Sequence, residues 1–336
     1  MTGMISNAVG DMPYNVARTE DFPCTFREFV QKFPDEVTCA AYLERLRWQS
    51  GFRCPDCQTI REPWRQTRGR LVCTACRHQT SVTAGTIMEK TRTPLTTWFE
   101  AAWHLTTAKN GISAKTLERT LGISYRTAWA MLQRYRVAMV RSERDRLSGA
   151  IEVDETLIGG VGQGGKRGRG ASKSIVVIAV EVKEPKGFGR VRMRHIPDSS
   201  GVQLEQFVSE VVSKDAIIRT DGWTGYNGLR EHGHFHERTI LSSSGDPAHV
   251  AMPGVHRVAS LLKRWILGTY QGSVDPEHLQ SYIEEFTFRF NRRTSKSRGF
   301  VFYRLMEQSM ITDPITEADV TFGYDWSKKG KSGGAN

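Results

Sequence analysis

The 336-residue sequence predicts an α/β protein in which a mixed-sheet domain follows two small modules. Three observations predict this architecture: two Cys-x-x-Cys pairs, a helical period from 94 to 140, and a change to the period of strands after 149. The composition, 39% hydrophobic and 25% charged, excludes disorder throughout. No stretch approaches the ~18 apolar residues of a membrane span, and the start lacks a secretory pattern. We therefore expect a cytoplasmic protein.

The net charge of +11 is concentrated in one part of the chain. Residues 44 to 146 contain 19 basic and 8 acidic side chains, and the other 233 residues carry 28 of each. This segment has no lipid-anchor motif and no basic helix with a Trp/Phe/Leu face. It therefore predicts a polyanionic partner and favours nucleic acid over a membrane surface.

Both ends of the chain are expected to lie outside the modules. In residues 1–50 a flexible lead is followed by two short helices around Pro34, which are indicated by apolar residues such as Phe29 and Tyr42. Residues 299–336 are expected to form a C-terminal extension that ends in a disordered tail rich in Lys, Gly and Ser.

Four cysteines predict a zinc ribbon over residues 51–90. Cys54, Cys57, Cys73 and Cys76 form two Cys-x-x-Cys pairs separated by 15 residues, a spacing that suits four thiolates around one Zn²⁺. A segment this short and polar has little hydrophobic core of its own. We therefore expect metal binding to supply the free energy of folding. Incidental reduced cysteines or a redox motif are the alternatives, but a matched pair of motifs favours zinc.

The loop between the two cysteine pairs is basic. We expect its arginines to contact DNA phosphates, and a solvated charged face is the alternative. These residues are Arg61, Arg65, Arg68 and Arg70.

Residues 91–147 predict a helix-turn-helix domain. Ser113 and Ser124 are placed to cap its two helices, and Gly122 falls at the turn, where a positive φ is required. Many bundles contain such a corner, so the local charge and the adjacent ribbon are what favour DNA binding. The predicted base-edge contacts are Tyr125, Arg126 and Thr127, and the predicted phosphate contacts are Arg134 and Arg136.

The elements predicted for residues 148–298 are three strands, a helix, a strand, a short helix, a strand and final helices. This order is typical of the ribonuclease-H-like fold, a mixed sheet with helices on both faces. Its first and fourth strands are neighbours, so Asp154 in IEVDETLI and Asp221 after AIIRT would converge. Either one alone is more often an edge or turn residue. Together they would repel unless a cation lay between them, which predicts a pair of Mg²⁺ ions suited to phosphoryl transfer.

The next helix offers a third ligand. A helical wheel of VHRVASLLKRWILGTY places His256 and Lys263 at one margin of the buried stripe. His256 would bind the metal and Lys263 would contact a substrate phosphate. A surface histidine without a metal is the alternative, and Glu284 or Glu285 on the following helix is the fallback ligand.

Two further basic clusters would line the path of DNA. The glycine-rich stretch Gly159 to Gly170 contains Lys166 and Arg167 and is either a flexible hairpin loop or a clamp ordered by phosphates. It lacks the spacing of a P-loop, so we expect no nucleotide cofactor. Arg292 and Arg293, at the end of the last helix, are candidates to hold flanking DNA.

From about Phe22 to Arg298 the chain resembles the DDE-type transposases of the insertion-sequence-1595 family. The resemblance implies a zinc ribbon, a helix-turn-helix and a ribonuclease-H-like domain that cuts DNA at terminal inverted repeats and joins the 3′ ends to a target. The stretches that carry it are, in order, FRCPDC, CTACRHQTSVTAGTIMEKTRTPLTTWF, ISAKTLERTLGISYRTAWAML, IEVDETLIGG, KRGRG, IIRTDGWTGY, VHRVASLLKRWILGTYQG and HLQSYIEEFTFRFNRR.

By position, Asp154 and Asp221 match the family's first two catalytic acids. Many members carry Glu or Asn seven residues before the segment's lysine, and some subgroups carry histidine, as here with His256 before Lys263. Imidazole binds Mg²⁺ less well than a carboxylate does, so Mn²⁺ would also serve. The resemblance implies a bacterial, DNA-associated transposase that pairs element ends as a homo-oligomer. The rival hypothesis is a catalytically inactive, transposase-derived DNA-binding regulator that lacks the third acid.

Overall fold

The computed structural model describes residues 21–141, 143–159, 173–183, 185–238, 252–272 and 274–329. In these ranges no helix has both the length and the apolar character needed to cross a bilayer. The helices there are α1 Phe26–Lys32, α2 Glu36–Arg47, α3 Leu95–Thr107, α4 Ala114–Leu121, α5 Tyr125–Ala138, α6 Gly201–Val211, α7 Pro253–Tyr270, α8 Pro276–Asn291, α9 Arg298–Ile311 and α10 Glu317–Phe322. The strands are β1 Trp64–Gln66, β2 Arg70–Val72, β3 Gln79–Ser81, β4 Ala150–Ile158, β5 Ser174–Val182, β6 Phe188–Ile196, β7 Ile217–Thr220 and β8 Phe235–Arg238.

Strands β1 to β3 form a small antiparallel sheet between and after the two cysteine pairs. Its hydrophobic cluster is slight, with Phe52, Leu71, Cys54 and Cys73 buried and Trp48 packed against them. So few apolar contacts stabilise a fold weakly, which is the situation in which a bound metal contributes most.

Helices α1 to α5 share one hydrophobic core with α9, although α9 lies more than 150 residues further along the chain. The Phe302 ring of α9 is central to it. Its centroid lies 5.7 Å from that of Phe29, 5.8 Å from that of Phe33 and 6.0 Å from that of Phe99. Aromatic rings bury large apolar areas, so part of the segment expected to be an extension is a structural member of this helical core.

The corner between α4 and α5 has the predicted caps and turn. Ser113 Oγ accepts a hydrogen bond from the Thr116 amide at 3.1 Å, and Ser124 Oγ accepts one from the Thr127 amide at 3.2 Å. Gly122 has a φ of 64°, in the left-handed region that a Cβ atom disfavours. These three local predictions are confirmed.

The larger sheet has the strand order β6-β5-β4-β7-β8. Strands β4, β5 and β6 are antiparallel neighbours, whereas β7 is parallel to β4 and β8 is parallel to β7. Helix α6 packs on one face, and α7 and α8 pack on the other. The predicted ribonuclease-H-like mixed sheet is confirmed, and its first and fourth strands are adjacent.

Side chains of α8 cover the open edge of β6. The amide and carbonyl of Val191 bond to the Asn291 side chain at 2.8 and 3.1 Å. The Gln280 side chain accepts from the His195 amide at 2.8 Å and donates to the Met193 carbonyl at 3.5 Å. This edge is therefore closed to pairing with another strand.

Candidate functional site

The four predicted zinc ligands lie together. Their sulfur atoms all lie within 4.8 Å of one another, and the Cys54–Cys76 and Cys57–Cys73 sulfur pairs are each separated by 3.6 Å. Four thiolates around Zn²⁺ at about 2.3 Å would place their sulfur atoms about 3.8 Å apart. The cysteine cluster therefore fits a structural zinc ion.

Local backbone geometry explains how the cysteines converge. After each Cys-x-x-Cys pair one residue takes a positive φ, 58° at Gln58 and 65° at Arg77. The amides of these residues donate to the carbonyls of Cys54 and Cys73 at 3.0 and 3.1 Å. Each pair thus forms a tight turn that directs two thiols to one point.

All four predicted arginines of the ribbon are exposed. Arg65 bonds to both oxygens of Glu44 at 2.9 Å, and Arg70 donates to the Gln79 side chain at 3.1 Å. Trp64, which was not among the predicted residues, is 48% exposed. The centroid of its ring lies 4.0 Å from the guanidinium of Arg77.

The first turn of α5 is accessible, but most of the helix is not. Tyr125 is 49% exposed. Arg126 is exposed and pairs with Glu317 of α10 at 2.7 Å, and Arg134 lies 3.9 Å from the same carboxylate. Thr127 is half-buried beside its cap. The phosphate contact predicted for Arg136 is wrong, because this side chain is 1% exposed.

Arg136 instead forms a buried ion pair with Glu285 of α8, 2.9 Å away. The neighbouring Glu284 is also buried, and it accepts two hydrogen bonds from Arg144 at 2.8 and 3.0 Å. The prediction of these glutamates as fallback metal ligands is wrong, since each is already paired with an arginine and neither lines the cleft that contains Asp154.

Asp154 and Asp221 line one cleft of about 310 Å³. The parallel register of β4 and β7 pairs Val153 with Thr220, so the residue after each partner lies at the same end of the sheet. Lys173 and Trp223 lie on the walls. The structure therefore brings together the two aspartates that the sequence analysis singled out.

Burial, together with the charge of Asp221, raises the pKa of Asp154 to about 6, although the hydrogen bond from the Glu155 amide opposes the change. Glu155 lines the same cleft, and burial with the charges of both aspartates raises its pKa to about 7. The Tyr226 hydroxyl donates to it at 2.7 Å. Three crowded acids favour a cation among them.

Sequence reasoning missed Glu155, because alternation along a strand directs it to the opposite face from Asp154.

His256 lies near Asp154, with 3.9 Å between its Nε2 and Oδ2 of the aspartate. Helix α7 is anchored here because Glu152 of β4 accepts a hydrogen bond from the Val255 amide at 2.9 Å. Lys263 lies two turns further along α7 and is exposed. Burial and the charge of Lys173 lower its pKa, and the nearby Asp154 carboxylate opposes this change. The margin of α7 that the helical wheel predicts thus lies beside Asp154.

In the part of the chain that the structure describes, the four cysteines are the only group of three or more potential ligands with all donor atoms within 4.8 Å. By the same spacing, Asp154, Asp221 and His256 do not form such a group.

Two further pairs of basic residues were predicted to line the path of DNA. Lys166 and Arg167 lie outside the described residues. Arg292 stacks on Phe288, with 4.0 Å between the guanidinium and the ring centroid. Arg293 donates to the carbonyls of Gly189, at 3.1 Å, and of Phe188, which fixes it against the start of β6.

Comparison with known proteins matches two parts of the chain to family models. Residues 146–291 match an ISXO2-like transposase domain, and residues 34–79 match a transposase zinc-ribbon domain. A protein of Haemophilus influenzae described as an uncharacterized transposase-like protein is 26% identical over 116 residues, which are 34% of this chain and 93% of that protein. Among solved structures, the catalytic core domain of BIV integrase is 18% identical and has a TM-score of 0.31, over 48% of this chain and 96% of that one.

Both family models, the ribbon and the transposase domain, describe parts of the same kind of element-encoded protein. They match, in order, the segments that contain the cysteine cluster and the cleft with the two aspartates. By these domains the chain belongs to the transposases of the insertion-sequence-1595 family.

Proposed function

We propose that this protein binds the terminal inverted repeats of an insertion sequence, cleaves the DNA strands there and joins them to a target, as a homo-oligomer that pairs two ends. The observation that carries the proposal is the convergence of Asp154 and Asp221 in one cleft, just beyond the last pair of residues, Val153 and Thr220, in the parallel ladder of β4 and β7. The family of the matched domains agrees with this chemistry.

The acids of the cleft fit divalent cations, because oxygen ligands crowded at low exposure need positive charge among them. Asp154 and Asp221 would hold Mg²⁺ or Mn²⁺, with the imidazole of His256 as a further ligand. Bound ions would supply an activated hydroxyl and charge stabilisation for phosphoryl transfer. In such sites two ions lie about 3.5–4 Å apart, and we propose a pair of ions here.

The residues around the aspartates would position the DNA strand. Lys263 projects from the same margin of α7 as His256 and is suited to bind a phosphate of the strand that reacts. Glu155, held by the Tyr226 hydroxyl, adds negative charge next to Asp154 and would strengthen the hold on cations.

DNA recognition would use the ribbon and the exposed first turn of α5. The arginines of the ribbon are exposed and grouped on a loop that the cysteine cluster fixes in place. Arg126 is already paired with Glu317, but both side chains are largely exposed, and exposed pairs contribute at most about 1 kcal/mol. A DNA phosphate could therefore replace Glu317 as its partner at little cost.

The decisive experiment is nicking of a labelled inverted-repeat duplex by wild type and by Asp154→Asn, with Mg²⁺ or Mn²⁺ present. We expect Asp154→Asn to bind the duplex as wild type does in a gel-shift assay and to lose nicking. Asp215→Asn, at an exposed loop position before β7, is the matched control and should nick normally.

Two results would contradict the proposal in different ways. Undiminished nicking by Asp154→Asn would show that the cleft does not hold the catalytic ions. Binding without nicking by wild type, with either metal, would favour the inactive DNA-binding regulator. His256→Ala then tests the third ligand separately, since normal cleavage by that variant would place this ligand elsewhere.

A further inference from the structure

A second and larger cleft, of about 960 Å³, lies at the β6 edge of the sheet. Strand β6 forms its floor, α6 and α8 form its walls, and the remaining lining residues come from the linker after α5 and from the last part of the described chain. These residues are Val140, Arg141, Arg144, Asp145, Trp326, Ser327 and Lys329. None of Asp154, Asp221 and His256 lines it, so it is separate from the cleft assigned to catalysis.

The lining of this edge cleft is rich in charge. Two of its arginines are neutralised within the protein, since Arg144 bonds to Glu284 through both nitrogens and Arg194 pairs with Glu210. Its basic side chains are Arg141, Arg144, Arg192, Arg194 and Lys329, and its acidic ones are Asp145, Glu210, Glu277 and Glu284.

Arg192 and Lys329 are different, because neutral oxygens accept their hydrogen bonds. Arg192 is only 8% exposed and donates to the carbonyls of Val191 and Asp145 at 3.1 and 2.9 Å. Lys329 donates to the Thr312 hydroxyl at 3.4 Å. A neutral acceptor satisfies an N–H group but compensates the positive charge less than a bonded carboxylate does.

The titration of these groups agrees with that description. Burial, together with the nearby charge of Arg144, lowers the pKa of Arg192 to about 9. Burial lowers the pKa of Lys329 to about 8, although the charges of Asp313 and Glu284 oppose the change. Near Arg192 the carboxylates of Glu284 and Glu181 are already bonded to Arg144 and Arg190. An anion in the cleft would compensate both positive charges more directly than these carboxylates do.

We propose that the edge cleft is a phosphate-binding site in which Arg192 and Lys329 hold the anion. A guanidinium has five N–H donors, of which the Val191 and Asp145 carbonyls accept from two, and the lysine adds a compact charge. The volume admits either a free phosphate or a backbone phosphate of DNA that passes along this edge. The inference does not depend on the catalytic proposal, since Asp154→Asn leaves every residue of the edge cleft in place.

The test uses the full-length protein and the variants Lys329→Gln and Lys328→Gln. Lys328 is the matched control, because it is the adjacent lysine, lies outside the cleft lining and pairs with Asp319 at 3.8 Å. Thermal unfolding is followed with increasing inorganic phosphate at constant ionic strength. We expect phosphate to raise the Tm of wild type and of the control, and to bind Lys329→Gln about tenfold more weakly, as loss of a charge-assisted hydrogen bond implies.

A second measurement distinguishes DNA as the source of the phosphate. The slope of log K against log salt for duplex binding falls by about 0.9 for each phosphate contact that is lost. A smaller slope in Lys329→Gln, with an unchanged slope in Lys328→Gln, assigns the site to the DNA backbone. A phosphate-dependent Tm without a change of slope assigns it to a free phosphate.

Either pattern supports the site. If Lys329→Gln matches its control in both assays, the proposal is overturned. Both measurements are repeated with Arg192→Lys, which keeps the positive charge at the buried position and removes the guanidinium. The result then does not depend on one variant. Its circular dichroism is compared with that of wild type to verify folding.

Discussion

The ion pair of Arg136 and Glu285 connects the helical core to α8, which packs on the sheet. Removal of one partner shows how much this ion pair contributes to the free energy of unfolding. Nε of Arg136 lies 2.9 Å from Oε2 of Glu285, and the side chains are 1% and 0% exposed. The Tyr270 hydroxyl donates to the same oxygen at 3.2 Å, and the Tyr282 ring centroid lies 4.0 Å from the guanidinium. Neither charge can reach water without opening the contact between α5 and α8.

Arg136→Met would leave the Glu285 carboxylate buried without a cation, and Glu285→Gln would leave the guanidinium buried without an anion. Loss of one partner of such a pair costs about 3–5 kcal/mol. The double variant Arg136→Met/Glu285→Leu has no charge to bury, so it should be more stable than either single variant.

Urea unfolding, followed by tryptophan fluorescence and circular dichroism, gives the free energies of unfolding. The control is Lys115→Gln, which breaks the more exposed pair with Glu118 and should cost at most about 1 kcal/mol. A cost for Arg136→Met no larger than that of the control would refute the reasoning. A double variant less stable than both single variants would refute it as well, because the penalty would then not come from an unpaired charge.

Three further outcomes are expected. Cys73→Ser should abolish one-to-one zinc binding, measured by atomic emission, and expose residues 51–90 to protease while the larger sheet stays folded; a protected ribbon would contradict this. Gly122→Val should lower the free energy of unfolding by roughly 1–2 kcal/mol, because φ is 64° there, and an unchanged value would contradict the strain argument. Glu317→Gln should tighten DNA binding by no more than about fivefold, because it removes the acid that pairs with Arg126, and weaker binding would contradict the proposed exchange of partners.

Local patterns and topology were enough to predict where the two aspartates lie. Alternating apolar residues predict the strand that contains Asp154, and the end of an apolar run predicts the position of Asp221. The element order then predicts that these strands are neighbours, as the parallel register of β4 and β7 confirms. Caps and the turn at Gly122 were predictable for the same reason, since their chemistry is contained in a few consecutive residues.

Contacts between distant segments could not be predicted in this way. Arg136 and Glu285 are 149 positions apart, and periodicity places each on a helix without giving its partner. The same holds for Phe302, whose ring lies among aromatic residues from the start of the chain. Glu155 was missed for a different reason. Alternation assigns it to the other face of the sheet, but the pairing with β7 ends at Val153, and beyond that point Asp154 and Glu155 both line one cleft.

These distant contacts change the meaning of the basic surplus between residues 44 and 146. Glu317 lies near two arginines of that segment, Arg126 and Arg134, while Glu284 and Glu285 each bind one more. All three glutamates lie outside the segment, so its isolated charge overstates the positive charge that the folded protein presents to a polyanion.

A count of arginines therefore overestimates the number of phosphates that the protein can neutralise. Each arginine that keeps a buried carboxylate partner releases no counterion from DNA, so the salt dependence of binding should be shallower than the sequence alone implies. The ribbon is less affected, since the four arginines of its loop are exposed and only Arg65 among them pairs with acids. We infer that the ribbon supplies most of the electrostatic affinity, and that most of α5 serves to hold the helical core against the sheet.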